Sequence, residues 1–159
     1  MSKKIVITGG IGYIGTELCK IYSGISWNNE ILVIDNRFAS ERVNQLRNWG
    51  IDFVHGDILN KDLVNKYCKK ADIVHHLAGI TDVPRVKSES DNDKDTEIKL
   101  VAEEGTQNIL NVISDKCKII FLFILLNLIS FRFGISSISL INIISSSSAS
   151  SNECFATSL

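Results

Sequence analysis

The stretch Thr8-Gly9-Gly10-Ile11-Gly12-Tyr13-Ile14-Gly15 decides the fold that we expect for this chain of 159 residues. It follows Lys3 to Thr8, an apolar run rich in β-branched residues that predicts a buried strand. Tyr13 to Tyr22 carries apolar residues at helical spacing, so the glycines lie where a strand turns into a helix. Glycine permits a tight turn and leaves no Cβ between the backbone and a ligand. Because the first N–H groups of a helix are unpaired and favour an anion, the stretch indicates a phosphate site.

A carboxylate at the end of the next predicted strand narrows the ligand to a dinucleotide. Glu30 to Ile34 is a second apolar run and ends at Asp35, twenty positions after Gly15. An acidic residue at this place accepts hydrogen bonds from the adenosine ribose in dinucleotide-binding folds. A glycine triplet alone also occurs in structural turns. The order of strand, helix, second strand and terminal carboxylate favours the dinucleotide interpretation over the structural one.

Short apolar strands alternate with helical segments as far as Lys118, which predicts an α/β fold with a doubly wound parallel sheet, truncated near its fifth strand. The second to fifth strands are expected at Glu30 to Asp35, Ile51 to His55, Ala71 to Leu77 and Lys118 to Leu126. Asp95 to Ser114 has the clearest amphipathic pattern and predicts a helix. Its sheet-facing residues are expected to be Ile98, Val101, Ala102, Ile109, Leu110 and Ile113.

The glycine spacing TGxxGxxG resembles that of extended short-chain dehydrogenase/reductases, specifically the UDP-glucose 4-epimerase-like, NAD-dependent epimerase/dehydratase group of nucleotide-sugar enzymes. The resemblance covers about residues 3 to 118 and implies a Rossmann-like NAD(P)-binding domain with NAD as cofactor. Further motifs that match in order are Asp35-Asn36, His55-Gly56-Asp57-Ile58, Asp72 to Gly79 (DIVHHLAG) and Gly105-Thr106-Gln107-Asn108-Ile109-Leu110.

The resemblance also implies a cofactor site, residue by residue. The pyrophosphate is expected at the glycine stretch, with Gly9, Gly12, Tyr13, Ile14 and Gly15. The adenosine half is expected at Asp35, Asn36, Ser40, Asp57 and Ile58, and the nicotinamide half at Leu77, Ala78 and Gly79. Asp35 favours NAD over NADP because its charge would repel a 2′-phosphate, and Arg37 is the nearby residue that counts against this preference.

The acid/base pair of this enzyme group is absent from the chain. In the group, a Tyr with a Lys four residues later does this work, because hydride leaves carbon only as the hydroxyl proton is removed. Tyrosines occur here only at 13, 22 and 67, and the residues four positions later are Glu17, Ser26 and Ala71. We therefore assign no catalytic residue and expect no turnover from these 159 residues, so whether the protein is an enzyme stays open.

The sequence changes character after Lys118, which divides the chain into an incomplete NAD-binding domain at 1–118 and a tail at 119–159. Only Arg132 and Glu153 are charged among the 41 tail residues, whereas the first 118 residues carry 33 charges. Three accounts stay open: a tail translated out of frame, a membrane segment at Ile119 to Ile144, or a divergent natural C-terminus. The segment exceeds the ~20 residues that span a bilayer. Arg132 would cost about 2.5 to 3.5 kcal/mol at mid-membrane, which makes the membrane account the least favoured.

Composition and the remaining chemistry-bearing residues exclude several classes of function. A net charge of −1 gives no footprint for nucleic acid or for an acidic membrane surface. The four cysteines form no CxxC pair and favour free thiols in a reducing cytoplasm over zinc or disulfides. His75 and His76 are adjacent in a predicted strand and point to opposite faces, so we expect no metal site there.

These observations lead to two functional expectations. The first is the NAD-binding portion of a nucleotide-sugar epimerase/dehydratase-type short-chain dehydrogenase that is catalytically incomplete. The alternative is a non-catalytic NAD-binding or regulatory protein, tethered to a membrane through residues 119–144. The nucleotide-sugar substrate, and a homodimer formed through helices that flank this region, are implied by the resemblance alone.

Overall fold

The computed structural model describes residues 2–25, 28–80 and 92–121. The predicted end of the fifth strand at Leu126 and the membrane alternative at 119–144 therefore lie wholly or largely outside the described residues. The strands are β1 (Lys4–Thr8), β2 (Glu30–Asp35), β3 (Asp52–His55), β4 (Ile73–His76) and β5 (Lys118–Phe121). The helices are α1 (Tyr13–Ser23), α2 (Ser40–Asn48), α3 (Lys61–Cys68), α4 (Asn92–Leu100) and α5 (Thr106–Leu110), with a π-helical turn, Val101–Gly105, between the last two.

The strands form one parallel sheet in the order β3-β2-β1-β4-β5. This order confirms the predicted doubly wound sheet, and the predicted bounds of β1 to β4 hold to within two residues. The order reverses between β1 and β4, where successive crossovers leave the sheet on different sides. Ligands of open α/β folds bind at such a switch point, beside the carboxyl ends of the strands.

Apolar side chains cover both faces of the sheet, as expected for parallel strands that are buried on both sides. On one face, Ile5, Ile7 and Val33 pack with Cys19 of α1 and Leu46 of α2. On the other face, the core contains Val6, Ile34, Val74, Val64 of α3 and Ile109 of α5. The described part of the chain is therefore a three-layer arrangement of helices, sheet and helices. None of its helices is long and apolar enough to cross a membrane.

The amphipathic segment is helical but not one continuous α-helix from 95 to 114. It begins at Asn92, widens into the π-helical turn and ends as α5 at Leu110. Of the six residues expected to face inward, Ile98, Val101 and Ile109 are buried. The other three, Ala102, Leu110 and Ile113, are half-buried. A single wide turn is invisible to a pattern based on 3.6 residues per turn, so the apolar spacing could not reveal it.

Candidate functional site

The glycine-rich turn joins β1 to α1 and passes close to the end of β4. Gly9 has φ of +71°, a conformation that favours glycine. A Cβ at Gly9 would lie 2.7 Å from the backbone N of Ala78, and a Cβ at Gly15 would lie 2.5 Å from the carbonyl oxygen of Gly9. Gly12 N–H closes the turn by donating to the Gly9 carbonyl at 3.0 Å. The predicted tight turn therefore fits the geometry, and the absence of a Cβ at Gly15 lets the start of α1 pack closely against the turn.

The N-terminus of α1 is open to a ligand. Gly12 is its N-cap and provides no side-chain hydrogen bond, and the first turn holds no acidic residue. Tyr13 and Ile14, the first two residues of the helix, are 80% and 46% exposed. Backbone N–H groups of a first helical turn have no partner inside the helix. The arrangement suits the pyrophosphate of a dinucleotide, which such N–H groups bind.

Asp35 connects the glycine-rich turn to the end of β2. Its side chain is buried, and its Oδ2 accepts a hydrogen bond from Ile11 N–H at 3.1 Å. Its Oδ1 accepts from the backbone N–H and the Nε of Arg37, at 3.0 and 3.5 Å. The turn is also held from α2, because the Arg42 guanidinium donates to the Ile11 carbonyl. The predicted ribose-binding carboxylate thus lies directly beside the predicted pyrophosphate site.

The other residues predicted for the adenosine half lie after β2, at the start of α2 and after β3. Asp57 accepts from Asn36 Nδ2 through Oδ2 at 3.2 Å and from Leu59 N–H through Oδ1 at 2.8 Å. Ser40 is the exposed first residue of α2. Ile58 differs from its neighbours, because its side chain is buried in the core and a Cβ at Gly105 would lie 2.3 Å from its Cδ1. Only the backbone of Ile58 can therefore face a ligand.

A buried histidine organises the end of β4. His76 Nδ1 lies 2.8 Å from Thr8 Oγ1, and His76 Nε2 lies 3.0 Å from Thr106 Oγ1. Thr8 Oγ1 in turn accepts from Ala78 N–H at 3.3 Å. Burial lowers the pKa of His76 from 6.5 to about 4, so the ring is neutral at pH 7 and can accept at one nitrogen while donating at the other. The loop that contains Leu77, Ala78 and Gly79 is fixed through this network, with Gly79 exposed.

The neighbouring His75 points to the opposite face, as predicted. Its Nε2 lies 2.7 Å from the hydroxyl oxygen of Tyr22 in α1, and burial lowers the pKa of His75. The two histidines therefore do not share a ligand. Within residues 2–25, 28–80 and 92–121, no group of three or more His, Cys, Asp or Glu residues is arranged to hold a metal ion.

Two contacts that shape the site were not anticipated from the sequence. Asn108 Nδ2 donates to the carbonyls of Ile58 and Leu59 at 3.1 and 3.3 Å, and so fixes the β3–α3 loop to α5. Arg42 reaches the glycine-rich turn across 31 positions of sequence. The motif that contains Asn108 indicated its helix, but no signal in the sequence identified either partner.

The family follows from a comparison with known proteins. Residues 6–124 match the model of the 3-beta hydroxysteroid dehydrogenase/isomerase family. The chain belongs to this family. Its relatives include the nucleotide-sugar enzymes to which the sequence motifs pointed, so the predicted resemblance to NAD-dependent epimerases and dehydratases is confirmed.

Two curated relatives illustrate the similarity. CDP-paratose 2-epimerase from Salmonella typhi is 33% identical over 127 residues, which cover 74% of this chain and 36% of that protein. UDP-N-acetyl-alpha-D-glucosaminuronate decarboxylase from Bacillus cytotoxicus is 28% identical over 125 residues, which cover 76% of this chain and 36% of that protein. The chain thus spans about a third of the length of these members of the wider family.

A solved structure confirms the fold. UDP-glucose-4-epimerase from Stenotrophomonas maltophila, with bound NAD and formylated UDP-arabinopyranose, superposes with a TM-score of 0.61 at 20% identity. The match covers 75% of this chain and 36% of that protein.

Proposed function

We propose that this chain binds NAD at the carboxyl ends of β1 to β4, as the cofactor-binding portion of a nucleotide-sugar epimerase/dehydratase-type enzyme. The observation that carries the proposal is the open N-terminus of α1 beside the buried carboxylate of Asp35, at the point where the strand order reverses. NAD, when bound, supplies a hydride acceptor. The relatives named above, which act on nucleotide-linked sugars, support that substrate class for the whole enzyme.

The chain's own residues would divide the work of holding NAD. The first turn of α1 would receive the pyrophosphate at Tyr13, Ile14 and Gly15, where the exposed helix start leaves room. Asp35 would accept from the adenosine ribose, because a carboxylate oxygen has two lone pairs and Oδ2 accepts only from Ile11 among the described contacts. Asp57 would face the adenine from β3, and Ala78 and Gly79 would support the nicotinamide half from β4.

We further propose that these 159 residues bind without turnover. No Tyr has a Lys four residues later anywhere in the chain, so no group of the expected kind can take the hydroxyl proton. The same observation favours the second candidate, a non-catalytic NAD-binding or regulatory protein. Incubation of the purified chain with NAD and nucleotide sugars tests this point, and conversion of any of these sugars would overturn it.

Calorimetric titration of the purified chain with NAD tests the binding proposal. The wild-type chain is expected to give a saturable binding heat. Asp35→Asn is expected to weaken binding about tenfold to hundredfold, because a hydrogen bond to a charged group is lost. Asp52→Asn is the matched control, since Asp52 is exposed on β3 and lies outside the proposed site. Absence of heat from a folded wild-type chain, or equal losses in the two variants, would contradict the proposal.

We also propose a cellular compartment and an oligomeric state for the chain. Cys19 and Cys68 are buried free thiols, which supports a reducing compartment such as the cytoplasm. A homodimer rests on the family resemblance alone. Light scattering of the purified chain measures its oligomeric state directly. A monomer at micromolar concentration would overturn the homodimer proposal.

A further inference from the structure

We propose that a cluster of lysines at the amino ends of β1, β4 and β5 binds the anionic lipid surface of a membrane. The cluster, which we call the lysine face, consists of Lys3, Lys4, Lys69, Lys70, Lys116 and Lys118. All five strands are parallel, so their amino ends share one edge of the sheet. The lysine face therefore lies at the opposite end of the sheet from the proposed cofactor site, and the inference does not depend on NAD.

The hydrogen bonds of Asp72 bring the three lysine segments together. Asp72 precedes β4, its backbone N–H donates to the Lys4 carbonyl at 2.8 Å, and its Oδ2 accepts from Lys4 N–H at 2.8 Å. The Asp72 carbonyl accepts from Lys118 N–H at 2.9 Å. Lys69 and Lys70 directly precede this start of β4. Since neighbouring strands lie ~4.8 Å apart, the amino ends of β1, β4 and β5 lie within about 10 Å of one another.

The lysine face is exposed and carries an excess of positive charge. All of its residues are exposed except Lys4, which is half-buried. Within the described part of the chain, ion pairs join Arg37 to Asp35 and Lys99 to Glu103, so the ammonium groups of the lysine face are unpaired. Three carboxylates lie among these six lysines and leave a net charge of +3: Glu30, which is opposite Lys4, Asp72 and Asp115.

The net charge of the whole chain conceals this surface. The 159 residues together carry −1, so the remainder of the chain is negative. The lysine segments are far apart in the sequence, at 3–4, 69–70 and 116–118, and only the pairing of β1, β4 and β5 brings them together. The absence of a charge footprint for an acidic membrane surface therefore holds for the average over the chain and not for this face.

The kind of basic residue favours lipid headgroups over nucleic acid as the partner. The positive charges of the lysine face all come from lysine, a hydrated point charge, whereas arginine is the residue of choice for nucleic-acid recognition. Single-stranded nucleic acid also requires exposed aromatic rings on which bases stack. Among the described residues, the exposed rings of Tyr13 and Phe38 follow β1 and β2, at the opposite end of the sheet. Lysines spread over the ends of three strands suit the diffuse negative charge of a bilayer surface.

The position of the lysine face leaves the cofactor site accessible. The five residues of β1 separate it from the glycine-rich turn by about 15 Å. A chain that rests on a membrane through its lysine face therefore directs the N-terminus of α1 and Asp35 away from the lipid. The anionic cytoplasmic leaflet is the surface with the matching charge.

Cosedimentation of the full chain with lipid vesicles tests the inference. Vesicles with about 30% phosphatidylserine in phosphatidylcholine should bind the wild-type chain at least about tenfold more tightly than pure phosphatidylcholine, and salt of about 500 mM should release it. Lys69→Gln/Lys116→Gln should weaken binding about twentyfold, because each lysine near an anionic surface contributes about fivefold. Lys61→Gln/Lys99→Gln is the matched control. It changes the net charge equally at exposed sites outside the lysine face and should change binding by no more than about twofold.

Urea unfolding of both double variants should give the wild-type midpoint, since exposed lysines are replaced. Equal binding of the wild-type chain to neutral and anionic vesicles would overturn the inference, and so would equal losses in the two double variants. A labelled single-stranded DNA of about 20 nucleotides is the competing ligand in a fluorescence anisotropy titration. Tighter binding to this DNA than to the anionic vesicles would assign the lysine face to nucleic acid and overturn the membrane inference.

Discussion

The two sides of the candidate site are held by different means. On the β2–β3 side, carboxylates bind backbone N–H groups: Asp35 accepts from Ile11, and Asp57 accepts from Leu59. On the β4 side, the buried His76 links three elements through Thr8, Thr106 and its ring contact with Phe121, with centroids 5.6 Å apart. In the proposed function the first arrangement offers acceptors to NAD, whereas the second fixes a loop. Changes to the two carboxylates should therefore alter affinity, whereas changes to His76 should alter stability and its pH dependence.

Gly9 joins the two sides, and its substitution should have the largest effect. Gly9→Ala places a Cβ against the backbone of Ala78 and forces a left-handed conformation on alanine. We expect a loss of about 4 kcal/mol in the free energy of unfolding, measured in urea, from strain and overpacking together. NAD binding should fall below detection, because the turn can no longer lie beside the β4 loop.

Gly50→Ala is the matched control for Gly9→Ala. Gly50 has the same φ of +71°, but no atom lies within 4 Å of a Cβ built there. We expect a loss of about 1 kcal/mol, the cost of the left-handed conformation alone. Equal losses in the two variants would mean that the approach of the turn to β4 does not hold the two sides together.

The glycine-rich turn could be predicted from the sequence because its residues are close together in the chain, whereas the network of His76 could not. Gly9, Gly15 and Asp35 belong to a strand–turn–helix–strand unit, so their roles follow from local spacing and backbone chemistry. The partners of His76 could not be predicted in this way, since Thr8 lies 68 positions away and Thr106 lies 30 positions away. Sequence periodicity placed His76 on a face of the sheet, but side-chain partners across elements depend on tertiary packing.

His76 should make stability depend on pH. Its pKa is lowered from 6.5 to about 4 in the folded chain, because burial disfavours the charged ring. The unfolded chain therefore takes up the proton first as the pH falls, and stability is lost between pH 6.5 and 4. From pH 7 to pH 4.5 the free energy of unfolding should fall by about 2.5 kcal/mol through this residue alone.

Urea unfolding of His76→Asn at the two pH values measures this contribution. The variant should lose about 2.5 kcal/mol less than the wild-type chain over the interval, because its side chain does not titrate. His55→Asn is the control, since His55 is exposed at the end of β3. A pH dependence identical in His76→Asn and the wild-type chain would show that the β4 side is not held by a neutral histidine.

Substitution of Asn108 tests how α5 supports the β3–α3 loop on the β2–β3 side. Asn108→Ala leaves the carbonyls of Ile58 and Leu59 without this donor in a buried setting, and should cost about 2 kcal/mol of unfolding free energy. Asn111→Ala is the matched control, because its exposed amide bonds only to the side chain of Gln107 among the described contacts. Its effect should stay within about 0.5 kcal/mol. A large effect of Asn111→Ala, or none of Asn108→Ala, would contradict this role.

Substitution of Asn60 should have the smallest effect on stability. It tests whether the hydrogen bond from Leu59 N–H is enough to position Asp57 without the cap of α3. It is the N-cap of α3, and its side chain accepts from Leu63 N–H at 3.1 Å. Asn60→Ala should lower the free energy of unfolding by about 1 kcal/mol. Asn65→Ala makes the same chemical change in the exposed middle of α3 and should instead raise it by about 0.5 kcal/mol, because alanine is the better helix former. NAD affinity should change little in either variant, since Asp57 is fixed independently by Leu59 N–H. A tenfold loss of affinity in Asn60→Ala would mean that the helix cap, and not the carboxylate's own bond, positions Asp57.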